Sequence, residues 1–221
     1  MKKIIAAIVL LVTANAGFSQ NVFGLQDPVS SKMFNAEKYS SMRGTPFLVD
    51  KWYKGIVNTP AGAYKNLELK YNVYENTIFF NKDDYSYELT DNIVSFTLMP
   101  NPDDPKTYMV YRKGLTSADF KDNQFIMVLL EGTPASVYRL DEKQVHELSE
   151  VNAGIVKTFK NNNKYYINVN KQLQFVKLNK AEILAVLKDK QDKLEQFIAD
   201  KKLSFKKEND LVELVKYYNT L

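Results

Sequence analysis

The chain has 221 residues, of which 45% are hydrophobic, a formal net charge of +4 at pH 7 and no cysteine. Disulfide bonds and a lipid-bearing cysteine are therefore excluded, and the core alone must stabilise the fold. Basic and acidic residues are mixed along the sequence rather than clustered, which argues against a nucleic-acid-binding protein. A chain of this length buries roughly 70% of its unfolded surface, so it can fold without covalent cross-links.

The first twenty residues have the pattern of a secretory signal peptide. Two lysines precede a nine-residue apolar run at 4–12, and small residues follow it. A helix needs about 20 residues to cross a membrane, so the run predicts export rather than an anchor. Cleavage is expected after Ala16 or after Ser19, with the later position preferred. The mature chain is therefore predicted to be periplasmic or secreted, without a transmembrane anchor.

Residues 21–44 show neither helical nor strand periodicity and are predicted to be a poorly defined N-terminal segment. An antiparallel β domain is predicted over 45–178, because short aromatic and β-branched runs alternate with turn residues. The strongest hairpin signal joins a strand at 47–58 to one at 63–73. In the second strand, apolar and polar residues alternate from position 66 to 73. This period of two predicts one apolar face and one face toward water.

Several further short strands follow the first hairpin. They are predicted at 77–80, 85–89, 93–98, 107–112, 123–130, 136–140, 155–160, 164–169 and 172–176. Turns are predicted at 81–84, 131–134 and 161–163. Three prolines between positions 100 and 105 predict a surface loop, since proline cannot donate to a sheet. About ten short strands predict a mainly β (α+β) fold, either an antiparallel β-sandwich or a barrel.

After residue 178 the spacing of apolar residues changes to three and four, which predicts two or three amphipathic helices over 179–221. Asn179 and Glu182 have the spacing of a capping box at the first helix. The second helix is expected to start at Asp189 or Lys190, and the third near Asn209. These helices are too short to form an independent core, so we expect them to pack on an open face or end of the sheet.

The sequence offers no recognisable catalytic, cofactor-binding or metal-binding pattern, so the chain is not expected to be an enzyme. The glycines are too scattered to form a phosphate-binding loop. His146 is the only histidine, and we interpret it as an exposed side chain in a charged stretch. The Asp83-Asp84 and Asp103-Asp104 pairs lack the spacing of a calcium loop and are interpreted as turn residues.

Aromatic residues allow two interpretations. They could form a stacking platform for a sugar or another flat ligand, or they could pack in the core; the core is favoured because burial is the usual role of aromatic area. The residues concerned are Trp52, Tyr53, Tyr71, Tyr74, Tyr165 and Tyr166.

Three stretches carry a resemblance to a known group of proteins. They are Trp-Tyr-Lys-Gly at 52–55, Leu-Glu-Leu-Lys-Tyr-Asn-Val-Tyr at 67–74, and the tail at 203–221, which contains Lys-Tyr-Tyr-Asn at 216–219. With these motifs the chain resembles uncharacterised exported proteins of Bacteroidota, over most of its mature length. The resemblance implies a location in the bacterial envelope and supplies no activity and no functional residue.

Export without a reactive constellation favours a noncatalytic binding or interaction module of the bacterial envelope. Its expected partner is an unknown envelope protein or a glycan, and not a nucleic acid. One alternative is a β-barrel carrier of an apolar small molecule, because a closed aromatic-rich sheet can enclose a cavity. Another is a carboxylate-dependent glycan hydrolase, although none of the 26 acidic residues stands out as part of a pair. An outer-membrane barrel is disfavoured because the chain ends in helices.

Overall fold

A computed structural model of the protein describes residue 28 and residues 32–151 and 154–221. The predicted signal peptide at 1–20 lies outside the described residues, as does most of 21–31. The first seven strands are β1 (Met42–Arg43), β2 (Tyr53–Thr59), β3 (Gly62–Asn72), β4 (Thr77–Lys82), β5 (Tyr85–Glu88), β6 (Ser95–Met99) and β7 (Met109–Arg112). The others are β8 (Ile126–Leu130), β9 (Ala135–Leu140), β10 (Lys143–Glu150), β11 (Gly154–Asn161), β12 (Lys164–Val169) and β13 (Gln172–Val176). The helices are α1 (Lys180–Val186), α2 (Gln191–Lys201) and α3 (Glu208–Tyr218).

Ten strands form one antiparallel sheet in the order β13-β12-β9-β8-β7-β6-β2-β3-β4-β5. Its edge strands β13 and β5 do not pair with each other, so the described sheet is open. The other three strands form a small sheet in the order β1-β11-β10. The predicted mainly β fold with C-terminal helices packed on it is confirmed, in its open, sandwich-like form rather than as a barrel.

The predicted first hairpin is present, with Thr59 of β2 opposite Gly62 of β3. Its first strand was predicted to start at residue 47 but starts at Tyr53, because the chain bends at 48–51 and pairs only through an isolated bridge at Phe47. The structure explains why the motif at 52–55 ends in glycine, at Gly55. A Cβ atom there would lie 2.4 Å from the carbonyl oxygen of Thr97, so the close approach of β2 to β6 requires glycine.

One half of the sheet buries a cluster of aromatic rings. Phe96 stacks on Tyr111 with ring centroids 4.8 Å apart, and Phe125 meets Phe96 edge-on at 4.9 Å. Tyr71 lies 5.1 Å from Phe96 and is also fully buried. The inward-facing rings fill this part of the interior, which is what the alternation at 66–73 predicts for Tyr71.

The three helices cover the same face of the sheet over its other half. The side chain of Asn179 accepts a hydrogen bond of 2.9 Å from the N–H of Glu182, so the predicted cap of α1 is confirmed. Instead of closing the capping box, the Glu182 carboxylate accepts from the N–H of Lys177. Leu194 of α2 and Leu214 of α3 are fully buried against the sheet. The predicted apolar stripes therefore form the second part of the core.

Asn219, at the end of α3, ties the C-terminal helices to the start of β9. Its side chain accepts a hydrogen bond of 2.9 Å from the N–H of Ala135 and donates one of 2.8 Å to the carbonyl oxygen of the same residue. Two hydrogen bonds from one amide side chain to one backbone residue fix the position of the helix end. This contact gives the asparagine of the Lys-Tyr-Tyr-Asn motif a structural role.

We expect Asn219→Ala to lower the free energy of unfolding by about 1–3 kcal/mol, because the buried N–H of Ala135 loses its partner. The measurement is urea unfolding followed by circular dichroism. The matched control is Asn81→Ala, whose side chain donates to the exposed Glu68 carboxylate, with an expected change within about 0.5 kcal/mol. Equal losses in the two variants would show that Asn219 does not tie the helix to the sheet.

The N-terminal segment packs on the opposite face of the sheet. Phe34 lies 5.2 Å from Phe47 and 5.0 Å from Phe79 of β4. Asn72 was predicted to face water together with the other polar residues of β3, but it is fully buried. The reason is that Tyr39 covers it, and its amide donates a hydrogen bond of 3.3 Å to the Tyr39 hydroxyl.

Candidate functional site: the β10–β11 arm

A hairpin arm, formed by β10 and β11, prolongs β9 and β12 beyond the end of the large sheet. The β9–β12 ladder ends at the pair Leu140 and Lys164, and the β10–β11 ladder begins at the pair Lys143 and Asn161. Two residues separate the ladders on each strand, so the register continues without a shift. The arm is therefore the outer part of one long hairpin whose inner part is embedded in the sheet.

The outer side of β10 is a free sheet edge. In the described part of the chain, β10 pairs only with β11. The carbonyl oxygen of Glu142 accepts from the N–H of Asn162 at 2.9 Å, and the direction of hydrogen bonding alternates along an antiparallel strand. The backbone groups of the odd-numbered residues therefore point away from β11, and these residues are Lys143, Val145, Glu147 and Ser149.

The base of the arm is anchored to the body of the protein. Phe159 of β11 is buried, with its ring 5.7 Å from Tyr39 and 5.2 Å from Tyr74. Strand β1 pairs with β11 at only two positions. Arg43 of β1 also reaches Glu150 through both guanidinium nitrogens, one of them at 3.0 Å. Phe159 and β1 hold the base of the arm, and Arg43 contacts the tip end of β10, while most other side chains of the outer half are exposed.

The tip of the arm, defined here as Leu148, Val151 and Ile155, is apolar and exposed. The three residues retain 57%, 102% and 69% of their accessible surface, respectively. Leu148 pairs with Val156, and Ile155 pairs with Ser149, so Leu148 and Ile155 lie on opposite faces of the hairpin. They form no single patch, but another molecule that binds around the end of the hairpin would bury apolar side chains on both faces.

A groove of about 360 Å³, the base groove, lies beside the free edge where the arm leaves the body. It is lined by Val73, Tyr74, Glu75, Asn76, Gln124, Glu142, Lys143 and Gln144. The two carboxylates pair within the chain, Glu75 with Lys38 and Glu142 with Lys164.

Lys143 is the cation of the base groove, and no carboxylate of the described residues lies within ion-pair distance of its ammonium. Burial lowers the pKa of Lys143, and the Asp50 carboxylate offsets this only in part. A partly buried ammonium without a counter-ion favours an incoming negative charge.

The histidine and the two aspartate pairs singled out in the sequence occupy a strand surface and two turns. His146 is an exposed residue of β10, opposite Thr158, as the interpretation as a surface side chain requires. Asp83 and Asp84 form the tight turn between β4 and β5, with φ angles of 51° and 64°. Asp104 caps a short 3₁₀ turn by accepting from the N–H of Lys106 at 3.1 Å. Both aspartate pairs are therefore turn residues, as predicted.

The aromatic residues considered for a stacking platform are not brought together. Tyr71 and Tyr166 are buried in two different clusters of the core. Trp52 is half-buried, with its ring 5.5 Å from the ammonium of Lys70. Tyr74 is exposed and lies at the base groove. Packing in the core is confirmed for Tyr71 and Tyr166.

A buried ionic network lies between the two halves of the core. Arg139 of β9 donates to Asp141 at 2.7 Å and to Glu208 of α3 at 2.7 Å, and Tyr111 donates its hydroxyl proton to Asp141. Burial lowers the pKa of Arg139, but Asp141 and Glu208 outweigh burial, so the pKa is raised. Burial and Asp141 raise the pKa of Tyr111. The network holds α3 against the sheet and presents no free carboxylate to a substrate.

Among residues 28, 32–151 and 154–221, no three histidine or acidic side chains are close enough to share a metal ion. Over the same residues, none of the helices has the length and apolar character needed to span a membrane.

Comparison with known proteins gives no relative. No family model matches the chain, and no curated protein sequence and no solved structure is significantly similar to it. The arm and its base groove are therefore the features from which function has to be argued.

Strand β10 is not predicted from the sequence, because the stretch 142–150 shows only a charged, exposed pattern. Strand β11 was predicted nearly correctly, at 155–160. The residues around Gly154 gave a signal for the strand that pairs with β11, because a turn there can join two strands of equal length. With that turn, β10 follows as the antiparallel partner of β11.

Proposed function

We propose that the protein is an exported, noncatalytic interaction module of the bacterial envelope, whose arm binds a macromolecular partner. The observation that supports this is the arm itself, which combines a free strand edge with an exposed apolar tip. The proposed location in the bacterial envelope is supported by the predicted signal peptide and by the resemblance to exported proteins of Bacteroidota.

Both features of the arm are more stable when another molecule covers them. An edge strand accepts an additional strand through its backbone hydrogen bonds. Burying a side chain of the size of leucine or isoleucine contributes about 1.5–3 kcal/mol. Exposed edges and apolar tips also promote aggregation. An arm without a binding partner would therefore make the protein prone to aggregate. A binding role accounts for both features together.

The test is a bait with a shortened arm, in which residues 147–157 are replaced by Asn-Gly. His146 and Thr158 pair directly, and a two-residue turn joins such a pair without changing the register. Phe159 keeps its contacts with Tyr39 and Tyr74, whereas Arg43 loses Glu150 and β1 keeps only its pair with Thr158. In pull-downs from envelope extracts, we expect the shortened bait to capture the partner about tenfold less than the full-length mature bait, because the tip contacts are lost.

The matched control removes apolar surface elsewhere, with Val94→Ser and Val110→Ser. These residues retain 47% and 38% of their surface and lie outside the arm, so capture should be unchanged. The proposal fails if the shortened bait captures as much as the full-length bait. Turnover of an envelope glycan by the purified protein would also contradict it, since that is the activity of the hydrolase alternative.

A further inference from the structure

The charges of β10 are distributed unevenly along the strand. Lys143 stands at the base and Glu147 toward the tip, while Glu150 at the end of the strand is paired with Arg43. Two antiparallel copies of such a strand place the basic end of each beside the acidic end of the other, whereas two parallel copies place like charges together. The strand is therefore complementary to itself in the antiparallel direction only.

We infer that the partner at the β10 edge is a second copy of this chain, joined by antiparallel pairing of the two β10 strands about a two-fold axis. This inference rests on the proposed function, because it names the molecule that the arm binds. The outward backbone groups of Lys143, Val145 and Glu147 supply the hydrogen bonds. The two arms then form one continuous antiparallel sheet.

The position of the axis follows from the side chains. A two-fold axis through Glu147 places two carboxylates opposite each other, which is unfavourable. An axis through Val145 places valine opposite valine and Lys143 of each copy opposite Glu147 of the other. Glu147 already pairs with Lys157 at 3.0 Å, but both groups are exposed and can share a second cation. Lys143 thereby gains a carboxylate within ion-pair distance, which the described residues of its own chain do not supply.

This register also sets how far the two arms overlap. With Val145 on the axis, Leu148 of each copy lies level with Glu142 of the other. Glu142 lines the base groove together with Tyr74, which retains 42% of its surface. Leu148 points to the face of β10 opposite to Val145 and Phe159, and Tyr74 contacts Phe159, so the tip does not cover the tyrosine ring. The interface is therefore formed by the paired β10 edges of the two arms.

Cysteine cross-linking tests the pairing directly, because the chain has no cysteine of its own. In this pairing the two Cα atoms at position 145 lie about 5.5 Å apart. The thiols of a Val145→Cys variant are therefore within disulfide range. The matched control is Lys160→Cys, on the β11 side of the same arm and exposed to solvent. We expect a disulfide-linked dimer with Val145→Cys and not with Lys160→Cys; equal cross-linking of both would indicate random collision and overturn the pairing.

Charge reversal tests the register. Lys143→Glu should weaken dimerisation about tenfold in analytical ultracentrifugation, because two carboxylates then face each other. The double variant Lys143→Glu/Glu147→Lys should restore the dimer, since the opposite charges have only exchanged places. Equal dissociation constants for the single and double variants would contradict the register.

The unmodified mature protein separates the two proposals. If it stays monomeric at about 100 μM, far above the dissociation constant of a specific pair, the second copy is not the partner. Arm-dependent capture of another envelope macromolecule then leaves the proposed function standing. Absence of both dimer and arm-dependent capture overturns the two proposals together.

Discussion

Replacing Asp141 with asparagine should lower the free energy of unfolding by about 3–5 kcal/mol, which is the loss expected when one partner of a buried ion pair is removed. Asp141 is 2% exposed and receives hydrogen bonds from Arg139 and Tyr111. Asparagine keeps the shape but leaves the Arg139 guanidinium with Glu208 as its only carboxylate. Urea unfolding of both proteins, followed by tyrosine fluorescence and circular dichroism, measures the difference.

The control for Asp141→Asn is the same acid-to-amide change in an exposed ion pair. Glu195→Gln weakens the exposed contact between α2 and Lys180 of α1, where the expected loss is below about 1 kcal/mol. If the two variants lose the same amount of stability, the buried network does not hold α3 on the sheet.

A triple variant separates an unpaired charge from the loss of a stabilising contact. Tyr111→Phe/Arg139→Met/Asp141→Leu removes the charged pair and the hydroxyl together. Buried ion pairs replaced by apolar groups of similar size often cost little, so this variant should recover most of the stability lost in Asp141→Asn. A loss as large as that of the single variant would show that the network contributes net stability.

The main architecture could be predicted where one face of an element is buried. The alternation at 66–73 placed Leu69 and Tyr71 in the core, and the spacing of three and four placed Leu194 and Leu214 there as well. Burial forces these patterns on the sequence, because each exposed apolar group costs free energy. Local preferences of polar residues gave the turn at Asp83-Asp84 and the cap at Asn179.

Other features depend on contacts between residues far apart in the sequence. Asn72 alternates with apolar neighbours and should face water, yet Tyr39 covers it from the N-terminal segment. The pairing of Arg139 with Glu208 joins β9 to α3 across the core. The sequence around one residue gives no indication of its distant partner. Local sequence patterns alone therefore cannot predict these contacts.

The arm escaped prediction for a different physical reason. Most of its residues have water on both faces, so burial imposes no period of two on β10. His146 and Glu147 are both exposed, although they lie on opposite faces of the strand. The part of the chain that carries the proposed interaction is therefore the part with the weakest strand signal, and its register is defined by the embedded β9–β12 hairpin.

Removing the central ring of the aromatic cluster should have an effect as large as that of breaking the buried network. Phe96 is fully buried and contacts Tyr71, Tyr111 and Phe125. Phe96→Ala deletes these contacts and leaves a cavity among rigid rings, so we expect a loss of about 3–5 kcal/mol in the free energy of unfolding. The measurement is equilibrium unfolding in urea.

Two further variants give the Phe96 prediction its control. Phe175→Ala removes the same ring from the edge strand β13, where it is 43% exposed, and should cost less than about 1 kcal/mol. Phe96→Leu retains most of the volume and should cost less than about 1.5 kcal/mol. If Phe96→Ala cost no more than Phe175→Ala, the rings would not be tightly packed. The interior of this half of the sheet would then have room for a small molecule, as a carrier requires.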